Sequence, residues 1–246
     1  MEGSLLDAMR QHAAHCYPRE SCGVVISTSI GLAYWPCENI AATDSHFCLK
    51  PEDYANAEDA GEVVQIVHSH PDSTPFPSVA DKVACAASGV PWLIVSCPGI
   101  AWHQFNSEGY TVPLIGRDFD YGVLDCYSLC QNYYERACGI SLPNFDHHEK
   151  FWETGTPLYD ANYKQAGFVE VPDLQPHDAI LMQIGASVAN HAAIYVGDDK
   201  ILHHLMTRLS ALEAYRTFYR NSTVRILRHR EAATFPAISI EQICEL

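Results

Sequence analysis

Residues 106–122 read NSEGYTVPLIGRDFDYG, a stretch with glycines, a proline and no repeating apolar pattern. The halves on either side of it place their elements in different orders, and that difference limits the fold more than any other feature. Before it, helical and strand patterns alternate, as in an α/β unit. After it, one helix is followed by strands joined by short turns, as in an α+β unit. The boundary is placed near Val112, giving units of residues 1–111 and 112–246, each the size of an ordinary small domain.

In the first half, Leu5, Leu6, Met9 and Ala13 fall on one side of a helix that opens at Ser4 and stops before Pro18. SCGVVIS is a β-branched run and predicts a strand. PEDYANAEDAG has proline early and glycine last, the usual helix punctuation. EVVQIVHSH is an apolar strand with His68 at its end. Ser78 and Gly89 bracket a helical SVADKVACAASG, and PWLIVSC and IAWHQF predict a strand pair about Pro98 and Gly99. In the second half Cys126, Leu129, Cys130, Tyr133 and Ala137 share a helical face closed by Gly139. DAILMQI, HAAIYVG and KILHHL predict strands, and GDDK makes the last two a hairpin. ALEAYRTFYRN predicts a short helix and TVRILRH a final strand.

The formal net charge is −15 with histidine neutral. Such a chain is unsuited to neutralising nucleic-acid phosphates or to an anionic membrane surface. No apolar run approaches the ~18 residues a membrane span needs, so no membrane insertion is expected. The first residues lack a basic start and an apolar core, so the expectation is synthesis in a cytoplasm without a secretory signal. The ten cysteines include no C-x-x-C pair. That argues against a thiolate zinc knuckle and a disulfide framework. Most are expected to be small buried apolar residues, with Cys126 the exception.

His68 and His70 stand one residue apart at a predicted strand end. Positions i and i+2 of a strand project to one face, so both imidazoles can reach one ion, and Asp81 can add a third ligand from the next helix. Three protein ligands with a fourth position open is the pattern of catalytic zinc. Ser78-x-x-Asp81 would also occur as a capping box alone. The full spacing is H-x-H-P, six residues, then S-x-x-D, and Glu20 lies upstream in PRESCGVV. This resembles the JAMM metalloproteases of the MPN-type, deaminase-like α/β fold, over roughly residues 1–105. The resemblance implies one zinc held by His68, His70 and Asp81, Glu20 as general acid/base, and Ser78 at the oxyanion. The zinc deaminases need H-x-E with P-C-x-x-C; His68-Ser69-His70 is not H-x-E, and the chain has no P-C-x-x-C.

Asp125 is a natural N-cap, placing Cys126 in a first helical turn where the helix dipole favours a thiolate. A thiolate nucleophile needs a base and a group to orient it. His191 and His203 lie on the two strands of the hairpin and can be neighbours. DCYSL followed by NHAAIYVGDDKILHH resembles the NlpC-type cysteine peptidases of papain-like α+β fold, which cut γ-D-glutamyl bonds in cell-wall peptides. The resemblance implies Cys126 as nucleophile, His191 as base and His203 as third member. His204 is its rival, expected to point to the opposite face. Tyr127 and Ser128 depart from the Ser and Gly the family often has there, and Tyr121 is a candidate for its upstream tyrosine. The two domains in one chain, with GRDFDYGVLDCYSLCQNYY, resemble the tail tip assembly family of lambda-like phages. That implies a peptidase chain made in the host cytoplasm, with other tail tip proteins as partners, carried in the virion and acting on peptidoglycan peptides. The alternative is a structural hub with one or both sites idle.

Overall fold

The structure is a computed structural model that describes residues 3–44, 46–145 and 150–246. Contacts divide the chain into two compact units, Met1–Thr111 and Val112–Leu246. Among the described residues no helix is long and apolar enough to cross a membrane.

The first unit is a five-stranded sheet flanked by helices. Its elements are α1 (Gly3–Cys16), β1 (Cys22–Thr28), β2 (Gly31–Cys37), α2 (Pro51–Ala60), β3 (Glu62–Pro71), α3 (Val79–Ser88), β4 (Trp92–Cys97) and β5 (Trp102–Phe105). The order is β2-β1-β3-β4-β5. Only β3 and β4 are parallel, and α3 supplies the crossover that a parallel pair requires. Strand parity sorts the core. Val25, Val67, Leu93 and Val95 pack on one face with Met9 of α1, while Val24, Ile26, Ile66 and Trp92 pack on the other with Ala57 of α2 and Cys85 of α3. The strand β2 was not anticipated, because GLAYWPC contains proline. Pro36 is tolerated because β2 lies at the sheet edge. A Cβ at Gly23, opposite Pro36, would meet the Trp35 carbonyl oxygen at 2.5 Å, so only glycine fits there.

The second unit opens with α4 (Cys126–Tyr133), which continues as a π-helical turn over Tyr134–Cys138, and a 3₁₀ turn at Phe151–Thr154. Then come α5 (Leu158–Asn162), β6 (Phe168–Glu170), β7 (Ala179–Met182), β8 (His191–Gly197), β9 (Lys200–His203), β10 (Ala211–Ala214), α6 (Thr217–Ser222), β11 (Thr223–His229) and, after a last 3₁₀ turn at Ala232–Thr234, α7 (Ile240–Glu245). The strands form a sheet in the order β10-β9-β8-β7-β11-β6, every pairing antiparallel. Leu129, Cys130, Tyr133 and Ala137 pack on Leu181, Ile194 and Leu202, burying α4 against the sheet. The stretch ALEAYRTFYRN, expected to be one helix, is instead β10 followed by α6. Ala211–Ala214 pairs with β9, and that pairing outweighs the helix propensity of Ala, Leu and Glu. The chain is thus an α/β unit followed by an α+β unit, the class read from the element order.

Candidate functional sites

The even positions of β3 face α3, so Ile66 enters the core there and His68 and His70 follow at the strand's open end. Ser78 caps α3 and exchanges hydrogen bonds with Asp81: the Asp81 amide donates to Ser78 Oγ at 3.0 Å, and the Ser78 amide donates to Asp81 Oδ2 at 2.7 Å. This fixes the Asp81 carboxylate over the strand end. His68 Nε2 lies 3.1 Å from His70 Nε2 and 3.2 Å from Asp81 Oδ1, and His70 Nε2 lies 3.4 Å from Asp81 Oδ2. Zinc bonds of about 2.0–2.1 Å place tetrahedral ligands about 3.3–3.4 Å apart. The three side chains match such an edge length and form the one His/Cys/Asp/Glu cluster of metal-holding geometry among the described residues.

Proton placement points the same way. His70 Nδ1 lies 2.9 Å from the Thr74 carbonyl, which only accepts, so Nδ1 carries the hydrogen. The neutral ring then turns a bare Nε2 toward a carboxylate and a second imidazole, an arrangement that either a proton or a metal cation between them would satisfy. A metal-bound histidine held by a backbone carbonyl through its other nitrogen is the usual support. Burial works against charge on His70, but Asp81, Thr74 and Glu20 outweigh it and raise its pKa. His68, with no exposure, is lowered mainly by burial. Burial also opposes ionised Asp81, yet the two imidazoles hold it well below the usual carboxylate range. His68 stacks on Phe47 at 4.5 Å and meets Trp92 edge-on at 5.5 Å, so one wall of the site is apolar.

Glu20 precedes β1 and is buried at 7 % exposure. Its neighbour Ser21 is tied to the site strand: the Ser21 amide donates to Ser69 Oγ at 2.8 Å, and the Ser69 amide to the Ser21 carbonyl at 3.0 Å. The Glu20 carbonyl also accepts from Asn39 Nδ2 at 3.0 Å. Ser69 and Asn39 carried no sequence signal, since a hydroxyl or amide that pins backbone belongs to no motif. Ser78 is exposed, and its hydroxyl oxygen is engaged by the Asp81 amide.

In the second unit Asp125 caps α4 with a full capping box shared with Ser128. Cys126, His191, Tyr121 and His204 line a cleft of about 300 Å³ whose other walls include Phe119, Trp152 and Tyr159. The sequence predicted an ionised thiolate at an exposed helix start. Cys126 is instead buried at 9 % exposure, and its thiol is pushed up to about 11 by that burial and by Asp125. Cys48 and Cys244 are the exposed thiols. Tyr159 places its hydroxyl 3.2 Å from Cys126 Sγ. Tyr127, in a position where the family often has a small residue, donates to the Pro143 carbonyl at 2.6 Å.

His191 Nε2 meets His203 Nδ1 at 3.2 Å across the hairpin. His203 Nε2 lies 3.6 Å from Glu213 Oε2, which also accepts from Tyr219 at 2.5 Å. The carboxylate draws the His203 proton to Nε2, leaving Nδ1 to accept from His191 Nε2–H. His191 Nδ1 then carries no hydrogen and can act as a proton acceptor. Glu213, the far end of this relay, was missed because it sits on the unanticipated β10. Strand alternation had implied that His204 is excluded from the cleft, but its wholly buried ring lines it. β9 ends at His203, and alternation no longer governs the next residue.

These imidazoles make the second unit acid-sensitive. Burial lowers His191 to about 3, and burial opposed by Glu213 lowers His203 to about 4, from 6.5 in the unfolded chain. Between those values the unfolded state binds more protons, so stability is full above pH 6.5 and drains away as pH falls toward 3–4. At ~1.4 kcal/mol per unit and group, the loss is on the order of several kcal/mol. The urea concentration that exposes buried Cys130 to a pyridyl disulfide is expected to drop from pH 7 to pH 4.5, and less so with both rings changed to Gln. Equal drops in both chains would mean that other groups carry the acid sensitivity.

Comparison with known proteins covers both units. Residues 2–107 match the model for prokaryotic homologs of the JAB domain, and residues 116–228 match the NlpC/P60 family. The chain is 40% identical to the tail tip assembly protein K of Escherichia phage N15 over 94% of its own length and 96% of that protein. It is also 40% identical to the tail tip assembly protein K of Escherichia phage lambda, over 77% of this chain and 94% of the relative. The first unit is further similar to a desampylase of Haloferax volcanii, 35% identical over 44% of this chain and 84% of that protein.

Proposed function

Since the chain belongs to the family of tail tip assembly protein K, with a JAB domain followed by an NlpC/P60 domain, we propose that it is a tail tip protein carrying two working peptidases. The first, within residues 1–111, is a zinc peptidase that matures a tail protein. The second, within residues 112–246, is a cysteine endopeptidase that opens peptidoglycan stem peptides when the tail meets the wall. Synthesis takes place in the host cytoplasm, the virion tail tip carries the chain to the wall, and its partners are other tail tip proteins.

The observation that carries the first activity is the triangle of ligand atoms, 3.1, 3.2 and 3.4 Å on its sides. His68, His70 and Asp81 would hold the zinc, which when bound would supply a Lewis acid and lower the pKa of its water to about 7. Glu20 takes the proton from the attacking water and returns it to the leaving amine. Ser78, its oxygen held by the α3 cap, turns its hydroxyl hydrogen to the carbonyl oxygen. In the second unit His191 takes the Cys126 proton as sulfur attacks, and His203 with Glu213 steadies the imidazolium.

A structural-hub reading of the second unit draws on its resting state, with Cys126 near 11 and His191 near 3, both neutral at pH 7. Metal analysis tests the first reading: the purified chain should carry about one zinc, lost when His68 and His70 are both changed to Ala. A double variant that retains its zinc would sink the ligand assignment.

A further inference from the structure

The relay through His191, His203 and Glu213 supplies a base, but nothing in it holds the sulfur once its proton has gone. That matters here because Cys126 is buried beside the Asp125 carboxylate, which disfavours a second negative charge. The Tyr159 hydroxyl, 3.2 Å from Sγ, is the side-chain group in hydrogen-bond contact with the sulfur. A thiolate only accepts, so in the ionised state this contact has one polarity, with the Tyr159 O–H donating. Neighbouring rings hold the phenol in place. It packs edge-on against Phe151 at 5.8 Å and against Tyr127 at 6.3 Å, and Tyr127 is itself tied to the Pro143 carbonyl.

We propose that Tyr159 is a catalytic residue of the second site, the donor that stabilises and aims the Cys126 thiolate as it forms. This deepens the cysteine-peptidase reading given above and rests on it. In the step, the S–H bond breaks and an N–H bond forms on His191 Nδ1. The electron pair stays on sulfur, with the Tyr159 hydroxyl hydrogen turned to it. Although burial and Asp125 push the thiol up, Tyr159 pulls it down, followed by backbone N–H groups of Ala192 and Cys126. Thiol and imidazole therefore rest as a neutral pair, and the Tyr159 donor lowers the cost of ionising it. Tyr159 lies on α5, downstream of the nucleophile and outside both motif stretches, so no spacing in the sequence pointed to it.

The test follows Cys126 itself and needs no substrate. The intact chain is treated with iodoacetamide across pH, and labelling of Cys126 is read by mass spectrometry, with exposed Cys48 and Cys244 as references. Tyr159→Phe is expected to raise the pH midpoint of Cys126 labelling by about one unit, a tenfold smaller thiolate fraction below it. Placing 3-fluorotyrosine at position 159, a more acidic donor of nearly the same shape, is expected to move the midpoint down. Midpoints that stay put in both chains overturn the proposal. So does faster labelling of Tyr159→Phe at every pH, which would make the ring a plug. If Tyr159→Phe disturbs the fold, buried Cys130 labels as well, and the fluorotyrosine chain decides alone. Should the wild-type chain cleave no peptide at all, the peptidase reading fails while the shift in midpoint still stands or falls on its own.

Discussion

Glu20→Gln is expected to leave the chain with its full complement of zinc and to lower hydrolysis of a tail-protein substrate by about 10²–10⁴-fold, the usual worth of a general acid/base. The amide keeps the shape of the side chain and its buried place beside β1, so the fold and the three ligands are undisturbed. What is lost is the group that accepts a proton. The informative comparison is with the His68→Ala, His70→Ala chain, which is expected to lose activity because it loses metal. Metal analysis and cleavage, measured on the same preparations, separate the two failures. Normal turnover in Glu20→Gln would remove Glu20 from the chemistry and shift attention to another base.

Cys126→Ala is expected to remove cleavage of a γ-D-glutamyl-diaminopimelate bond in murein peptides, a loss on the order of a million-fold when a nucleophile of a triad is deleted. The same cleavage should continue in the presence of a zinc chelator, while cleavage of the tail protein should stop. Each treatment thus silences one unit and spares the other. Chelation that stops murein cleavage while Cys126→Ala leaves it intact would mean that the chemistry belongs to the other unit. If no murein peptide is cut under any condition, the structural-hub reading takes over for the second unit.

The parts of both sites that the sequence displayed are those set by local geometry. Two residues on a strand end share a face, so His68 and His70 could be paired from spacing, and Ser78 and Asp81 from the capping box. The hairpin at GDDK likewise brought His191 to His203. The hidden parts depend on contacts between distant segments. Glu213 reaches His203 only because Ala211–Ala214, rich in helix formers, is drawn into the sheet. Tyr159 reaches Cys126 from 33 positions downstream. The burial of Cys126 was hidden too, since a helix start tells nothing of what later segments fold over it.

The capping box on α3 has a consequence for how the first site would meet a metal. Asp81 is held by backbone and hydroxyl bonds that exist whether or not an ion is present, and His70 by the Thr74 carbonyl. Little rotamer entropy of Asp81 and His70 remains for an ion to remove, so little of its coordination energy would be spent on ordering them. A zinc finger, by contrast, is unfolded until its metal arrives. Here chelation should leave a folded apo-chain with its ligands already in place.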